Sequence, residues 1–394
     1  MHKFTADFIH TLTSEPLTDH VIVTDDVGRV VDISSSANHD MGNVRKLEGI
    51  ICPGFINTHC HLELSHMKGL VNTGTGLLPF IESVVKYRDF PEELILQAIA
   101  DGDQEMRQDG IVAVGDISNK LDTADIKSKS DIKYYTFVEM FDFLQSSMTE
   151  GTIAQYQPVY KGHSGTDGNE KSYVPHAPYT VSDGLYNFIK KQEGDELTIS
   201  IHNQETPHED QLFREKAGGF IDFYKGFGFG LDHFKATNDS SLAYAIQHLD
   251  PKHRALFVHN TMTTAQDIAK ATAWNTKSYW ATCANANLYI ENRLPDYKIF
   301  EEAGALMTIG TDSLTSNWQL SIMEEMKTIK KYKSYLSLAT LLTWACKNGA
   351  AALGFDDELG TLELGKKPGL VNITGITTAN GKENLMHAKS QRII

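Results

Sequence analysis

The sequence predicts a (β/α)8 barrel over residues 51–350, with a small β-sandwich-like domain assembled from both termini, 1–50 and 351–394. Three observations predict it. Apolar, strand-like runs alternate with longer helical stretches eight times along the centre of the chain. Both ends are strand-like and punctuated by glycine. Finally, histidine or aspartate closes several of the central runs, where a barrel gathers its chemistry.

At the N-terminus, "DHVIVTDDVGRVVDISSS" alternates and breaks at Asp26–Gly28, which predicts a hairpin. The first central run is "ICPGFINTH" (51–59), followed by "GIVAVGDIS" (110–118) and "KYYTFVEMF" (133–141). Then come "SYVPHAP" (172–178), "LTISIHN" (197–203), "ALFVHN" (255–260), "SYWATCAN" (278–285) and "ALMTIGTDS" (305–313). Between the first two lies "PEELILQAIADGDQEMRQDG", a helix by its start and stop signals, with Pro91 in the first turn and Gly110 just past the end. "HSGTDGNEKS" (163–172) reads as a surface loop. The C-terminal "LGTLELGKKPGLVNITGITTANGK" has the texture of the N-terminal segment, so the two ends are expected to pair.

A chain of 394 residues that is 41% hydrophobic has enough apolar side chains for one large barrel and an accessory unit. The formal net charge of −15 argues against nucleic acid as a partner, because phosphate contacts need a basic surface. No apolar run approaches the length of a membrane span, and the N-terminal segment lacks the basic start and apolar core of a signal peptide. Cys52, Cys60, Cys283 and Cys346 are scattered without metal or redox spacing. Reduced thiols in a cytoplasmic protein are the simplest expectation.

In "GFINTHCHLELSH" (54–66), His59 and His61 sit at i and i+2 of a strand end and project to one side. Two imidazoles so placed can hold a divalent ion such as zinc. Equally, they can be ordinary polar residues where strand becomes loop. His66 follows shortly. His176, His202 and His259 close the fourth, fifth and sixth runs, and Asp312 closes the eighth. Any one of them is commonplace, but five runs ending this way are hard to assign to chance. Three neutral imidazoles and one carboxylate leave a divalent ion net positive, able to lower the pKa of water to about 7. Proton transfer then needs one more group. Glu205, three residues after His202, is at the mouth of the same strand.

These residues resemble the metal-dependent amidohydrolase superfamily, in its branch of aromatic-amine deaminases and chlorohydrolases. The matching motifs are "PGFINTHCHLE" (53–63), "PHAPYTVS" (175–182), "HNQE" (202–205), "VHNT" (258–261), "IGTDSLTSN" (309–317) and "LGTLELGKKPGLV" (359–371). The resemblance implies one catalytic metal, zinc or iron(II), on His59, His61, His202 and Asp312. It implies that His259 shuttles a proton with Asp312, that Glu205 is the acid/base group, and that His176 approaches the substrate. No lysine ends the fourth run, where binuclear members place a bridging one, which favours a single metal. The H-x-x-E pattern favours deamination of an amino-heterocycle over hydrolysis of cyclic amides; hydrolytic dechlorination or amide hydrolysis on the same scaffold is the alternative. Relatives usually carry C-P-x-S-N where this chain has Cys283-Ala284-Asn285-Ala286-Asn287, so the loop 284–297 diverges.

Within that branch, "HLELSH" (61–66) and "NLYIENRLP" (287–295) resemble the enzymes that deaminate 6-aminofutalosine on a route to menaquinone. Adenosine, S-adenosylhomocysteine, guanine and pterins offer the same reacting unit and stay open, as does a homodimer. The resemblance implies Glu63 and Ser65 as contacts to sugar or ring, with loop capping as the alternative for Glu63. It implies Arg293 as the cation for the substrate's carboxylate, against a surface salt bridge. A barrel that keeps metal for structure alone is disfavoured, since structural zinc sites are closed and rich in cysteine.

Overall fold

The computed structural model describes residues 1–166, 168–192, 194, 196–379 and 382–394. Asp167 in the 163–172 loop, and Asn380 and Gly381 in the C-terminal strand-like piece, therefore lie outside the described residues. Eight parallel strands form the centre: β1 (Phe55–Cys60), β2 (Ile111–Ile117), β3 (Lys133–Met140), β4 (Glu170–Pro175), β5 (Thr198–Asn203), β6 (Arg254–His259), β7 (Ser278–Thr282) and β8 (Leu306–Ile309). β1 to β4 pair in sequence order as one sheet and β5 to β8 as another. The strands are buried almost throughout, as parallel strands flanked by helices require.

The two halves meet through a few contacts rather than the continuous ladder expected of a closed barrel. On one side the His202 N–H donates to the His176 carbonyl at 2.9 Å. On the other, Cys60 bridges to Asp312, and the N–H groups of Thr311 and Asp312 both donate to the His59 carbonyl at 3.0 and 2.9 Å. β8 has only four residues, and Pro175 at the end of β4 has no N–H to donate.

The run read as one strand over 51–59 is two. Ile50–Pro53 pairs antiparallel with Leu370–Thr374, while Phe55–Cys60 enters the central sheet. The break is Gly54: a Cβ there would sit 2.4 Å from a Val112 methyl and 2.7 Å from the Pro368 carbonyl. The run 278–285 also divides, because a helix begins at Ala284. The helix read from start and stop signals spans Glu92–Asp109 with Pro91 as its N-cap. Gly110 closes it at φ +101°, a left-handed conformation that glycine adopts without penalty.

Residues from both ends share a sheet. Leu370–Thr374 lies between Ile50–Pro53 and Lys389–Arg392, and Phe8–Ile9 adds parallel to Ile50–Pro53. A second sheet joins His2–Thr5, Arg45–Lys46 and the hairpin of His20–Thr24 with Val30–Ser35. Phe4, Ile22, Ile51, Leu362 and Leu370 pack in one cluster between these segments. Among the described residues, no helix is long and apolar enough to cross a membrane.

Candidate active site

Each strand-end residue is aimed by local backbone geometry. Gln204, His259, Asn260 and Asp312 all have positive φ (47°, 74°, 60° and 58°), which non-glycine residues adopt at a cost of order 1–3 kcal/mol. Neighbouring groups hold them there. The Glu209 carboxylate accepts the N–H groups of Gln204 and Glu205 at 3.0 and 3.1 Å. The Asn260 amide donates to the carbonyls of Phe257 and Ala281, and the Ser316 hydroxyl donates to Asp312 Oδ2 at 2.7 Å. The Leu62 N–H just past the H-x-H pair donates to Asp116 Oδ1, and Asp116 is fixed in turn by a buried ion pair with Lys127 at 2.6 Å.

His59, His61 and His202 then offer ligand atoms that all lie within 4.8 Å of one another. His59 Nε2 and His61 Nε2 are 3.2 Å apart, and Asp312 Oδ1 lies 3.7 and 3.5 Å from them. Ligand atoms held at 2.0–2.1 Å around a tetrahedral ion sit about 3.3–3.4 Å apart, so the donor set fits a divalent metal. His202 Nδ1 donates to the His176 carbonyl at 2.9 Å, which leaves its Nε2 lone pair free to coordinate. Burial pushes the pKa values of His59, His61 and His202 down, so all three are neutral, as ligands must be.

His259 stands beside this set. Its Nδ1 donates to Asn287 Oδ1 at 2.8 Å, so Nε2 presents a lone pair. Glu205 Oε1 is 3.6 Å from that Nε2. Glu205 is buried, and burial, with the charges of Asp312 and Glu291 adding to it, raises its pKa well above the usual carboxylate range. His176 is half-buried and neutral, its pKa lowered to about 3 chiefly by loss of solvent, and its Nδ1 pairs with the Thr180 hydroxyl at 2.9 Å. His66 takes no part: its ring faces Phe90, and its Nε2 donates to the Arg88 carbonyl at 3.0 Å.

His61, His176, His202, Glu205, His259 and Asp312 all line one cavity of about 350 Å³. Its outer wall is apolar and comes from two segments outside the eight-strand pattern, the helices Leu77–Tyr87 and Phe220–Gly226. Three expected substrate contacts are not in that wall. Glu63 is turned away, its Oε2 accepting the N–H groups of Asn119 and Lys120, so it caps the loop after β2. Ser65 donates to the Leu62 carbonyl at 2.7 Å, closing its own turn. Arg293 is exposed, because the helix Ala284–Glu291 ends at a left-handed Asn292 that carries the chain outward.

Other residues of the site escaped the sequence reading. Glu209 and Glu325 hold backbone groups from positions with no motif of their own. Asn287, which orients the His259 imidazole, did leave a signal, since it stands at the asparagine that closes C-P-x-S-N in relatives. Glu139 closes β3 as a buried carboxyl 3.4 Å from His202 Nδ1, hidden inside an apolar run.

Known proteins share this architecture. An adenosine deaminase of Helicobacter pylori is 26% identical over 351 residues, covering 86% of this chain and 83% of the relative. An aminodeoxyfutalosine deaminase of Nitratiruptor is 26% identical over 331 residues, covering 80% and 77%. The crystal structure of Helicobacter pylori aminofutalosine deaminase in complex with methylthio-coformycin superposes with a TM-score of 0.83 over the whole of both chains, at 21% identity. The sequence profile of the amidohydrolase family matches residues 50–391, which takes in all eight central strands and every donor just described, and the chain belongs to that family.

Proposed function

We propose that the chain is a hydrolase carrying one divalent ion, zinc by its nitrogen-rich donor set, on His59, His61, His202 and Asp312, and that it deaminates an amino-purine-type heterocycle. The observation that carries this reading is Glu205: a buried carboxyl whose pKa burial raises, with its Oε1 3.6 Å from His259 Nε2 in the cavity beside the ligand set. Deamination needs such a pair, an acid for the ring nitrogen and a base for water. The deaminase names of the relatives support the same substrate class.

A divalent ion, when bound, supplies Lewis-acid activation of a water at neutral pH. The chain's own residues do the rest. Glu205 donates its proton to the ring nitrogen beside the amino-bearing carbon, so negative charge does not accumulate there as that carbon is attacked. His259, turned by Asn287 so that Nε2 is the acceptor, takes the proton of the attacking water together with Asp312. That proton passes to the amino group, which leaves as ammonia, while the hydroxyl now on the carbon gives its remaining proton back to Glu205 and becomes the product carbonyl. His176 and the apolar wall from Leu77–Tyr87 and Phe220–Gly226 position the ring and exclude bulk water.

Closure of the eight strands into a barrel over 51–350, with 1–50 and 351–394 as a separate β domain, belongs to the same reading, as does a cytoplasmic location. The four cysteines are buried and unpaired, in keeping with that location. The test is a side-by-side kinetic comparison of aminofutalosine, S-adenosylhomocysteine, adenosine, guanine and an aminopterin on the metal-loaded protein, following ammonia. The highest kcat/KM is expected among the amino-purine nucleosides. Release of no ammonia from any of them refutes the reading.

A further inference from the structure

One charged group in the cavity wall has no part in that scheme. Arg88 is the C-cap of the helix Leu77–Tyr87 and, among the described residues, the one lysine or arginine lining the cavity. Phe80, Val84 and Arg88 are spaced i, i+4 and i+8, so they form one stripe, and all three line the cavity. The backbone at Arg88 is held in place by the hydrogen bond from His66. No hydrogen bond or ion pair to its guanidinium is formed by any described residue.

The Glu63 carboxyl is engaged by two backbone N–H groups, and neither it nor Glu139 forms an ion pair with Arg88. The guanidinium lines a largely apolar cavity with no ion-pair partner among the described residues. An unpaired arginine in such a place offers a planar fork of donors to a planar anion.

We propose that Arg88 determines specificity by receiving a carboxylate carried on a substituent of the amino-purine substrate, while the Phe80–Val84 stripe packs against the apolar arm that bears it. This inference rests on the deaminase reading. It replaces Arg293 as the candidate cation with a residue in the cavity wall.

The test compares two substrates that differ by one charge: a 6-amino-purine nucleoside with a benzoate on the 5′ side of its sugar, and the methyl ester of that benzoate. The wild-type protein is expected to prefer the acid by about 10–100-fold in kcat/KM, the worth of a charge-assisted pair. Arg88→Gln should collapse that ratio towards one, chiefly through KM for the acid, and Arg88→Lys should recover part of it. A wild-type protein without the preference, or an Arg88→Gln protein that keeps it, overturns the role of Arg88 and leaves deamination standing. If the wild-type protein releases ammonia from neither compound, both readings fall together.

Discussion

Replacing Glu205 by glutamine removes one transferable proton and little else. Glu205 is 4% exposed, its N–H is held by Glu209 at 3.1 Å, and burial favours the neutral form of its side chain. Glutamine matches it in size and charge, so Glu205→Gln should shift stability by less than about 1 kcal/mol and leave metal content unchanged. Turnover should suffer far more. A positioned general acid contributes about 10²–10⁴-fold, which at 1.36 kcal/mol per decade is roughly 3–5 kcal/mol of barrier. The pH profile carries a second signature. Burial raises the pKa of Glu205, so wild-type activity is full below that raised value and falls as pH climbs through it. The variant has no proton to lose and should lack that limb. The assay is ammonia release from the preferred nucleoside across pH, with metal content and melting temperature measured on the same samples. A kcat/KM within tenfold of wild type, or a loss that merely follows lost metal, refutes the argument.

Two further outcomes are expected. Asn287→Ala removes the acceptor that fixes the His259 ring at 2.8 Å, and should lower kcat by about 10–100-fold at unchanged metal content, as measured in the same ammonia assay. Glu325 is buried beside the loop Ala284–Asn287, accepting from the Asn285 N–H and the Asn317 amide, and burial raises its pKa from 4.5 to about 8. The folded state therefore keeps this proton over a range where the unfolded state has lost it. The group's stabilising contribution is full below about pH 4.5 and is lost as pH rises to about 8, an effect of a few kcal/mol. Glu325→Gln should flatten the fall in melting temperature between pH 5 and 8, even where its absolute value is lower.

The strand ends were legible because two simple periodicities act on them. An apolar run marks a buried strand, and a histidine or aspartate at its end is turned towards the mouth; His59, His61, His202 and Asp312 follow that rule. What the sequence hid depends on contacts between distant segments. Gly54 divides one apolar run into two strands because Val112 and Pro368 crowd it, and neither is near it in sequence. Glu209 and Glu325 look like surface helix residues until the loops they cap close over them. The sequence points to Arg293 as the cation and passes over Arg88, because nothing local marks which of them meets the cavity. Arg88, at the end of the helix Leu77–Tyr87, lines it, whereas Arg293 follows the left-handed Asn292 and is exposed.

If one divalent ion on His59, His61, His202 and Asp312 runs the chemistry, metal content and activity must move together. Elemental analysis of the purified protein, titrated with chelator and followed by activity on the same samples, decides this. One zinc-class ion per chain is expected, with activity that falls in proportion as the ion is removed and recovers on adding zinc back. Two ions per chain at full activity, or full turnover from protein stripped of metal, rules out the single-ion centre.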